Sequence, residues 1–442
     1  MPSYLSINKK IDSFNKKIII SGDKSLSIRW VLLASQAIGK SKAYNLLMSE
    51  DVIAALEAIK KLGIRVLIKK KYCEILGKGL NNFTYKNGLV IDAKNSGTLG
   101  RLILGLLIKS PKKIKIIGDN SLSKRDFSRV TIPLGDFGAK FYYKVKNKLP
   151  LFILGSKLPK GIQYIENKGS AQCKSSIMLA ALNSSGTTSI KAKKSRNHSE
   201  LLFKYLKVPI KIKKTKKFDF IKIKKPKMIN AFNYKIPGDI SSSAFFMVLT
   251  MLTKDSKLLI KDVNINPTRT GVITILKKMG ARISLRNKRN YRGEKISDIL
   301  IQESKNLKSI NCPSELNSSA IDEFLIIFIA AAKAKGISYF KDISELNQKE
   351  SPRLNLGSKI LNMMGVKTEL TESSIKIYGQ PNLKITKKII IKNYLKDHRI
   401  FMMSTIAALT CGGVWEIHDK DSINTSFPSF LKLIKNINSK SL

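Results

Sequence analysis

Several short stretches place charged and hydroxyl-bearing residues where the chain turns into an apolar segment. In "SGDKSLSIR" (21–29), a Gly-Asp turn exposes backbone N–H groups at a helix start. Lys24, Ser25 and Arg29 then share one face, because four and five residues span just over one helical turn. The result is a cradle for a carboxylate or phosphate, or a solvated basic turn. A nucleotide-type phosphate loop does not fit, since Asp23 stands where that loop needs a glycine before its lysine. In "DAKNSGTLGRLILGLL" (92–107), Asn95, Ser96, Gly97 and Thr98 form a capping cluster ahead of a strongly apolar helix. A helix start carrying a bare residue such as Gly97 suits an anion, and an ordinary cap before a core helix is the equal alternative. "GDNSLSKRDF" (118–127) sets Lys124 and Arg125 after a turn, and "KGSAQCKSS" (168–176) offers Ser170, Gln172 and Lys174 at alternating positions.

The second half adds acids. "SSAIDEFLIIF" (318–328) puts Asp322 and Glu323 against an apolar segment, where a carboxylate is costly to bury without a partner. Functional acids favour such edges, as do ordinary helix-start carboxylates. "NQKESPRL" (347–354) gathers Lys349, Glu350 and Arg353, and "KDHRIFMM" (396–403) sets Asp397, His398 and Arg399 before an apolar helix. Each alone could be a solvated charged turn. Together they place anion-binding residues at the starts of apolar elements in both halves of the chain.

The elements that must position these residues recur. "KKLGIRVLI", "GDFGAKFYY", "KYLKVPIKI", "KKMGARISL" and "NMMGVKTEL" each end a helix-like segment at a turn and begin a short strand. The corner residues lie at 63, 138, 207, 280 and 365, and "LKLIKNIN" (431–438) reads as a worn sixth copy. Glycine at such a corner fits a helix C-cap, which needs positive φ. Before the first corner, Val52, Leu56, Ile59 and Leu62 repeat at spacings of three and four, which predicts an amphipathic helix. The unit is a βαβ-like element repeated about six times, which suits two domains of three units with ligand held between them.

Composition bounds the function. The chain has 442 residues, enough for two or three domains, and 43% are hydrophobic. The longest apolar runs are too short to span a bilayer, and the N-terminal stretch lacks a secretory apolar core, so a cytoplasmic location is expected. The four cysteines lie far apart without a CxxC, and the three histidines lack ligand spacing, which argues against structural zinc or a disulfide framework. The net charge of +50 is spread along the whole chain, as a lysine-rich compositional bias would leave it. Aromatics are 7% and are not interleaved with basic residues, which counts against a specific nucleic-acid binder.

The ordered motif set "SGDKSLSIR", "NSGTLGR", "GDNSLSKR", "SAQCKS", "SRNHSE", "PGDISSSAF", "NPTRTG", "IDE", "KESPR", "DHRI" and "TSFPSF" resembles the 5-enolpyruvylshikimate-3-phosphate (EPSP) synthase family, from about residue 17 to 430. "SAQ", "NPTRTG" and Thr425 are similar to its class II branch. The resemblance implies a two-domain inside-out α/β barrel, each domain of three βαβαββ-type repeats with helices inside and sheets outside. It implies a discontinuous terminal domain (1–18 and 236–442), a central domain (19–235), and an active site in the cleft between them. The implied reaction moves the enolpyruvyl group of phosphoenolpyruvate to the 5-hydroxyl of shikimate 3-phosphate by addition and elimination. It needs no metal or organic cofactor, no membrane and no specific nucleic acid, and a monomer is expected.

The resemblance also implies roles. Lys24 touches both substrates and is catalytic. Ser25, Arg29, Ser170, Ala171, Gln172, Arg196 and Lys349 join it around shikimate 3-phosphate. Asp322 binds the same substrate and is the base at its 5-hydroxyl, and Glu350 takes part in proton transfer at the methylene. Gly97, Arg125, Gln172, Arg353 and Arg399 bind phosphoenolpyruvate with Lys24. A bare Gly97 implies sensitivity to glyphosate. Ser21, Ile28, Lys94, Asp126, Asn347 and Pro352 depart from the family's usual residues, and none of them has a direct role. The sister transferase acting on UDP-N-acetylglucosamine shares fold and donor, but the cysteines here do not resemble its reactive loop, and "DHR" and "KESPR" are shikimate-type.

Overall fold

Alternating short strands and helices with left-handed corners between them give the chain its architecture. The computed structural model describes residues 4–438. Two compact units emerge: a terminal unit up to Ser21, with Pro237–Asn290 and everything from Lys295 on, and a central unit of Gly22–Ile236. The central unit also takes Tyr291–Glu294, which the sequence reading placed in the terminal domain. Each unit has its own apolar core.

The described residues form six small sheets, three per unit. The four-stranded ones share one plan: a parallel pair, then two antiparallel strands. In the central unit, Gln163–Glu166 runs parallel to Thr187–Lys193, which pairs antiparallel with Phe218–Lys224 and that with Ile210–Lys214. Val90–Asp92, Ile114–Ile117, Leu151–Leu154 and Lys140–Tyr143 repeat the order. The remaining central sheet takes its outer strand from Asn233–Lys235, at the far end of the unit. In the terminal unit, Leu5–Ile7 closes the sheet of Val414–Ile417 and Lys388–Ile391.

Inside each unit lie three helices. The central unit holds α1 (Lys24–Ser35), α2 (Gly97–Leu106) and α3 (Ala171–Ala181). The terminal unit holds α4 (Ile240–Leu252), α5 (Phe324–Ala332) and α6 (His398–Cys411). Every residue of α5 and α6 is buried, because these sequences are apolar or small on all sides beyond the His398–Arg399 start of α6. α2 and α3 cross closely: a Cβ at Gly105 would sit 2.1 Å from the Ser176 carbonyl, so only glycine fits there. The outer helices are amphipathic, as the Val52–Leu56–Ile59 stripe predicts for Glu50–Lys61. The inside-out α/β plan expected from the family is the one observed.

The repeated corners turn as glycine chemistry predicts. Gly63, Gly138, Gly280 and Gly365 have φ of +83°, +97°, +93° and +85°. Lys207 holds the equivalent corner at φ +58°, the conformation a side chain reaches at a cost of roughly 1 kcal/mol. The worn sixth copy is the helix Phe430–Asn438, and the residues after it lie outside the described ones. No described helix is long and apolar enough to cross a membrane.

Candidate active site

In the central unit the predicted residues cluster at the N-termini of the three inner helices. Asp23 caps α1, its carboxylate accepting from Leu26 N at 2.9 Å. Lys24 opens the helix, and its Nζ lies 2.9 Å from Asp51. One turn on, Arg29 is buried and donates to the Ser25 carbonyl (3.0 Å), Ser175 Oγ (2.9 Å) and Ser199 Oγ (2.9 Å). Ser96 caps α2, so Gly97 begins it, and Ser170 caps α3, so Ala171 and Gln172 form its first turn. Gln172 bridges the two helix starts: its amide donates to Thr98 Oγ1 at 3.1 Å, and its carbonyl accepts from Arg101 at 3.1 Å. Arg125 comes within reach of the same spot, since a Cβ on Gly97 would lie 3.2 Å from its Nη1 and 2.7 Å from that of Arg101. Arg196 stands just before the helix His198–Tyr205, where His198 Nδ1 and Glu294 Oε1 are 2.6 Å apart.

The first turns of α2 and α3 are joined through Gln172, and Arg29 of α1 reaches Ser175 of α3, so helix starts and guanidinium groups gather here. That arrangement attracts anions. Arg101 strengthens it. Its other acceptors are the carbonyls of Gly97 and Asp126, both at 3.2 Å, and it stacks on Phe127. Burial, with Arg125 and Arg129 nearby, lowers its pKa to about 10, still charged at neutral pH. Lys174 does not join the cluster. The alternating Ser170–Gln172–Lys174 pattern falls on a helix rather than a strand, so Lys174 points inward and pairs with Glu200 at 2.6 Å, both buried.

The terminal unit builds a different centre. Asp239 caps α4 and Asp397 caps α6, accepting from Ser241 N (2.8 Å) and Arg399 N (2.9 Å). Asp322 and Glu323 precede α5. Arg399 donates to the Asp322 carbonyl at 2.6 Å and lies 4.0 Å from Glu323. Ser241 hydrogen-bonds Glu323 and accepts from Arg269 at 2.7 Å, so the three inner helix starts are tied together here too. The Asp322 side chain keeps 16% of its surface exposed, against 0% for Glu323, so Asp322 is the one a ligand can meet. Its Oδ1 lies 3.6 Å from Arg353 and 3.9 Å from Lys349.

Arg353 is the hub. It donates to Asp397 at 2.8 Å and to Glu350 at 2.5 Å, and Ser351 adds a bond to Asp397 at 2.8 Å. Burial works against the guanidinium charge, but Asp397 and Glu350 outweigh it, and the pKa rises above the ordinary arginine value. Burial likewise opposes the Asp397 charge, yet Arg353 holds that carboxyl below its ordinary range.

The departures from the family pattern are locally accommodated. Lys94 takes φ +51°, the conformation glycine would adopt, with its ammonium 2.7 Å from Asp92. Asp126 accepts from Ser128 N at 2.9 Å. Asn347 caps Arg353–Met363 from outside the helix, accepting from Leu354 N and Asn355 N, and Pro352 occupies its N-cap position. Ile28 is core, and Ser21 hydrogen-bonds Ser429. Sequence reasoning missed Asp51, Arg101, Ser175 and Ser199. A lone arginine inside "GTLGRLILGLL" was a signal for Arg101; the others look like ordinary helix residues until the fold pairs them.

The family model described as EPSP synthase (3-phosphoshikimate 1-carboxyvinyltransferase) matches residues 8–434. A 3-phosphoshikimate 1-carboxyvinyltransferase of Ruthia magnifica subsp. Calyptogena magnifica is 41% identical, over 97% of each chain. One from Thermoanaerobacter sp. (strain X514) is 38% identical, over 97% of this chain and 99% of its own. The solved EPSP synthase of Acinetobacter baumannii superposes with a TM-score of 0.86 at 35% identity, covering 98% of this chain and 97% of that one. A family model that matches nearly the whole chain, with full-length similarity in sequence and fold, shows that the chain belongs to the EPSP synthase family.

Proposed function

We propose that the two clusters act on one pair of substrates. The protein transfers the enolpyruvyl group of phosphoenolpyruvate to shikimate 3-phosphate and releases phosphate, as its family does. In our reading the acceptor's 5-hydroxyl attacks C2 of phosphoenolpyruvate while C3 gains a proton. This gives a tetrahedral intermediate. Loss of that proton and of phosphate restores the double bond on the new ether.

The central unit supplies the anion holders. Lys24 and Gln172 serve both substrates. Ser25, Arg29, Ser170, Ala171 and Arg196 hold shikimate 3-phosphate, and Gly97 and Arg125 hold the donor phosphate. The terminal unit supplies the proton chemistry. Asp322 accepts the hydroxyl proton, with Lys349 steadying the same substrate. Glu350 moves the methylene proton, and Arg353 and Arg399 take the donor carboxylate. Such positioned acids and bases contribute about 10²- to 10⁴-fold.

The observation that carries this reading is the company of Asp322. It is a partly exposed carboxylate within 4 Å of two cations, beside Arg353, which itself grips Glu350. The test is phosphate release from the purified protein. Release must require both substrates, and replacing shikimate 3-phosphate by UDP-N-acetylglucosamine must abolish it. Release with the nucleotide sugar instead would assign the sister activity.

A further inference from the structure

The central unit contains buried polar groups that the reaction does not use. Lys174 and Glu200 are 0% and 3% exposed, with Nζ and Oε1 2.6 Å apart. Their chain neighbours Ser175 and Ser199 are buried as well, and the Ser199 hydroxyl donates to Ser175 Oγ at 2.7 Å. Two adjacent residues of α3 therefore meet two adjacent residues of the helix His198–Tyr205. The guanidinium of Arg29, from α1, closes this cluster: Nε donates to Ser199 and Nη2 to Ser175, both at 2.9 Å.

We infer that Ser175 and Ser199 are positioning residues for acceptor binding, fixing the Arg29 guanidinium through hydrogen bonds, while the Lys174–Glu200 pair fixes the two helices that carry them. This rests on the reading of Arg29 as a holder of shikimate 3-phosphate. The physical argument is pre-organisation. A free arginine side chain carries about 2 kcal/mol of rotamer entropy that binding must otherwise remove. Two hydroxyls and the Ser25 carbonyl hold the guanidinium plane in three directions before the acceptor arrives. Hydroxyls do this without a counter-charge, so the cation's attraction for a phosphate or carboxylate is undiminished by them. The buried ion pair has a different task. Its charges are expensive to bury, and its return is a single register between α3, whose start carries Ser170 and Gln172, and the helix that Arg196 precedes.

The test is steady-state kinetics on Ser199→Ala, Ser175→Ala and Ser199→Thr, with Arg29→Lys beside them and Tm recorded for each. The expected result is a KM for shikimate 3-phosphate raised about tenfold in both alanine variants. The phosphoenolpyruvate KM and kcat stay within about twofold, and Ser199→Thr, which keeps the hydroxyl, restores the acceptor KM. A raised acceptor KM in Arg29→Lys alone would overturn the positioning role while leaving the reading of Arg29 intact. An unchanged acceptor KM in Arg29→Lys would overturn both. A lowered Tm with both KM values rising together would show a merely structural contact. Each alanine variant removes a single oxygen and leaves one buried Arg29 N–H without its acceptor, which is why Tm is recorded. If either does fail to fold, Ser199→Cys, whose sulfur is a much weaker acceptor for the Arg29 guanidinium, must show the same selective rise, and no rise there overturns the proposal.

Discussion

The arginines of the two units keep different company. In the central unit Arg101 is held by two backbone carbonyls, a glutamine amide and an aromatic face, and Arg29 is gripped by hydroxyls and a carbonyl. In the terminal unit Arg353 lies against three carboxylates, Asp397, Glu350 and Asp322. The same side chain is shifted in opposite directions: burial lowers Arg101 to about 10, while the carboxylates override burial and raise Arg353. Hydroxyl, carbonyl and amide partners fix a guanidinium without adding a counter-charge of their own. Carboxylate partners stabilise the buried charge and tie it into a network of ion pairs. One architecture, three inner helices in each unit, thus carries two contrasting clusters, which the proposed function reads as an anion receptor in one unit and an acid–base centre in the other.

That contrast can be broken at its strongest point. Asp397→Asn removes the charge that compensates buried Arg353, and breaking such a pair costs about 3–5 kcal/mol. Chemical denaturation should show a loss of that order. A loss below about 1 kcal/mol would mean that Glu350 and Asp322 suffice to hold Arg353.

On the receptor side, Gly97→Ala places a Cβ 2.7 Å from Arg101 Nη1 and 3.2 Å from Arg125 Nη1, so both guanidiniums must give way. We expect the phosphoenolpyruvate KM to rise about tenfold, or about 1.4 kcal/mol, with the acceptor KM within twofold. Glyphosate should inhibit the wild type and inhibit this variant less. Equal glyphosate inhibition of both proteins would remove Gly97 from the donor site.

The acid limb sharpens the comparison further. Asp397 is held below its ordinary 3.8, so its contribution to stability is complete above that value and is lost as pH falls through the lower folded one. Wild-type Tm should therefore fall more steeply below about pH 4 than that of Asp397→Asn, while the two curves run parallel from pH 5 to 8. Parallel curves throughout would place the proton elsewhere in the cluster. The smallest effect is a control: Lys396 and Asp421 are exposed and 3.5 Å apart, so Lys396→Ala should change stability by less than about 0.5 kcal/mol.

Much of this was legible in sequence. The left-handed corners announced themselves through glycine, and even Lys207 was found by its place in the repeat. The inner helices could be read from apolar runs that begin at Ser96, Ser170 or Asp397, because a cap and an all-apolar face are local properties. Pairings were not legible. Nothing local links Lys24 to Asp51 or Arg29 to Ser199, 170 residues away. Lys174 was misleading, because its alternation with Ser170 and Gln172 has the period of a strand, whereas the cap at Ser170 starts a helix and turns the lysine inward toward Glu200.

The division of labour itself is tested most directly on Asp322→Ala, by measuring phosphate release with both substrates together with calorimetric binding of shikimate 3-phosphate. The account predicts that kcat falls at least about 10²-fold while the acceptor still binds within a few-fold of wild type, since the central unit's cations are untouched. Turnover above a tenth of wild type, or loss of acceptor binding in step with turnover, would contradict it.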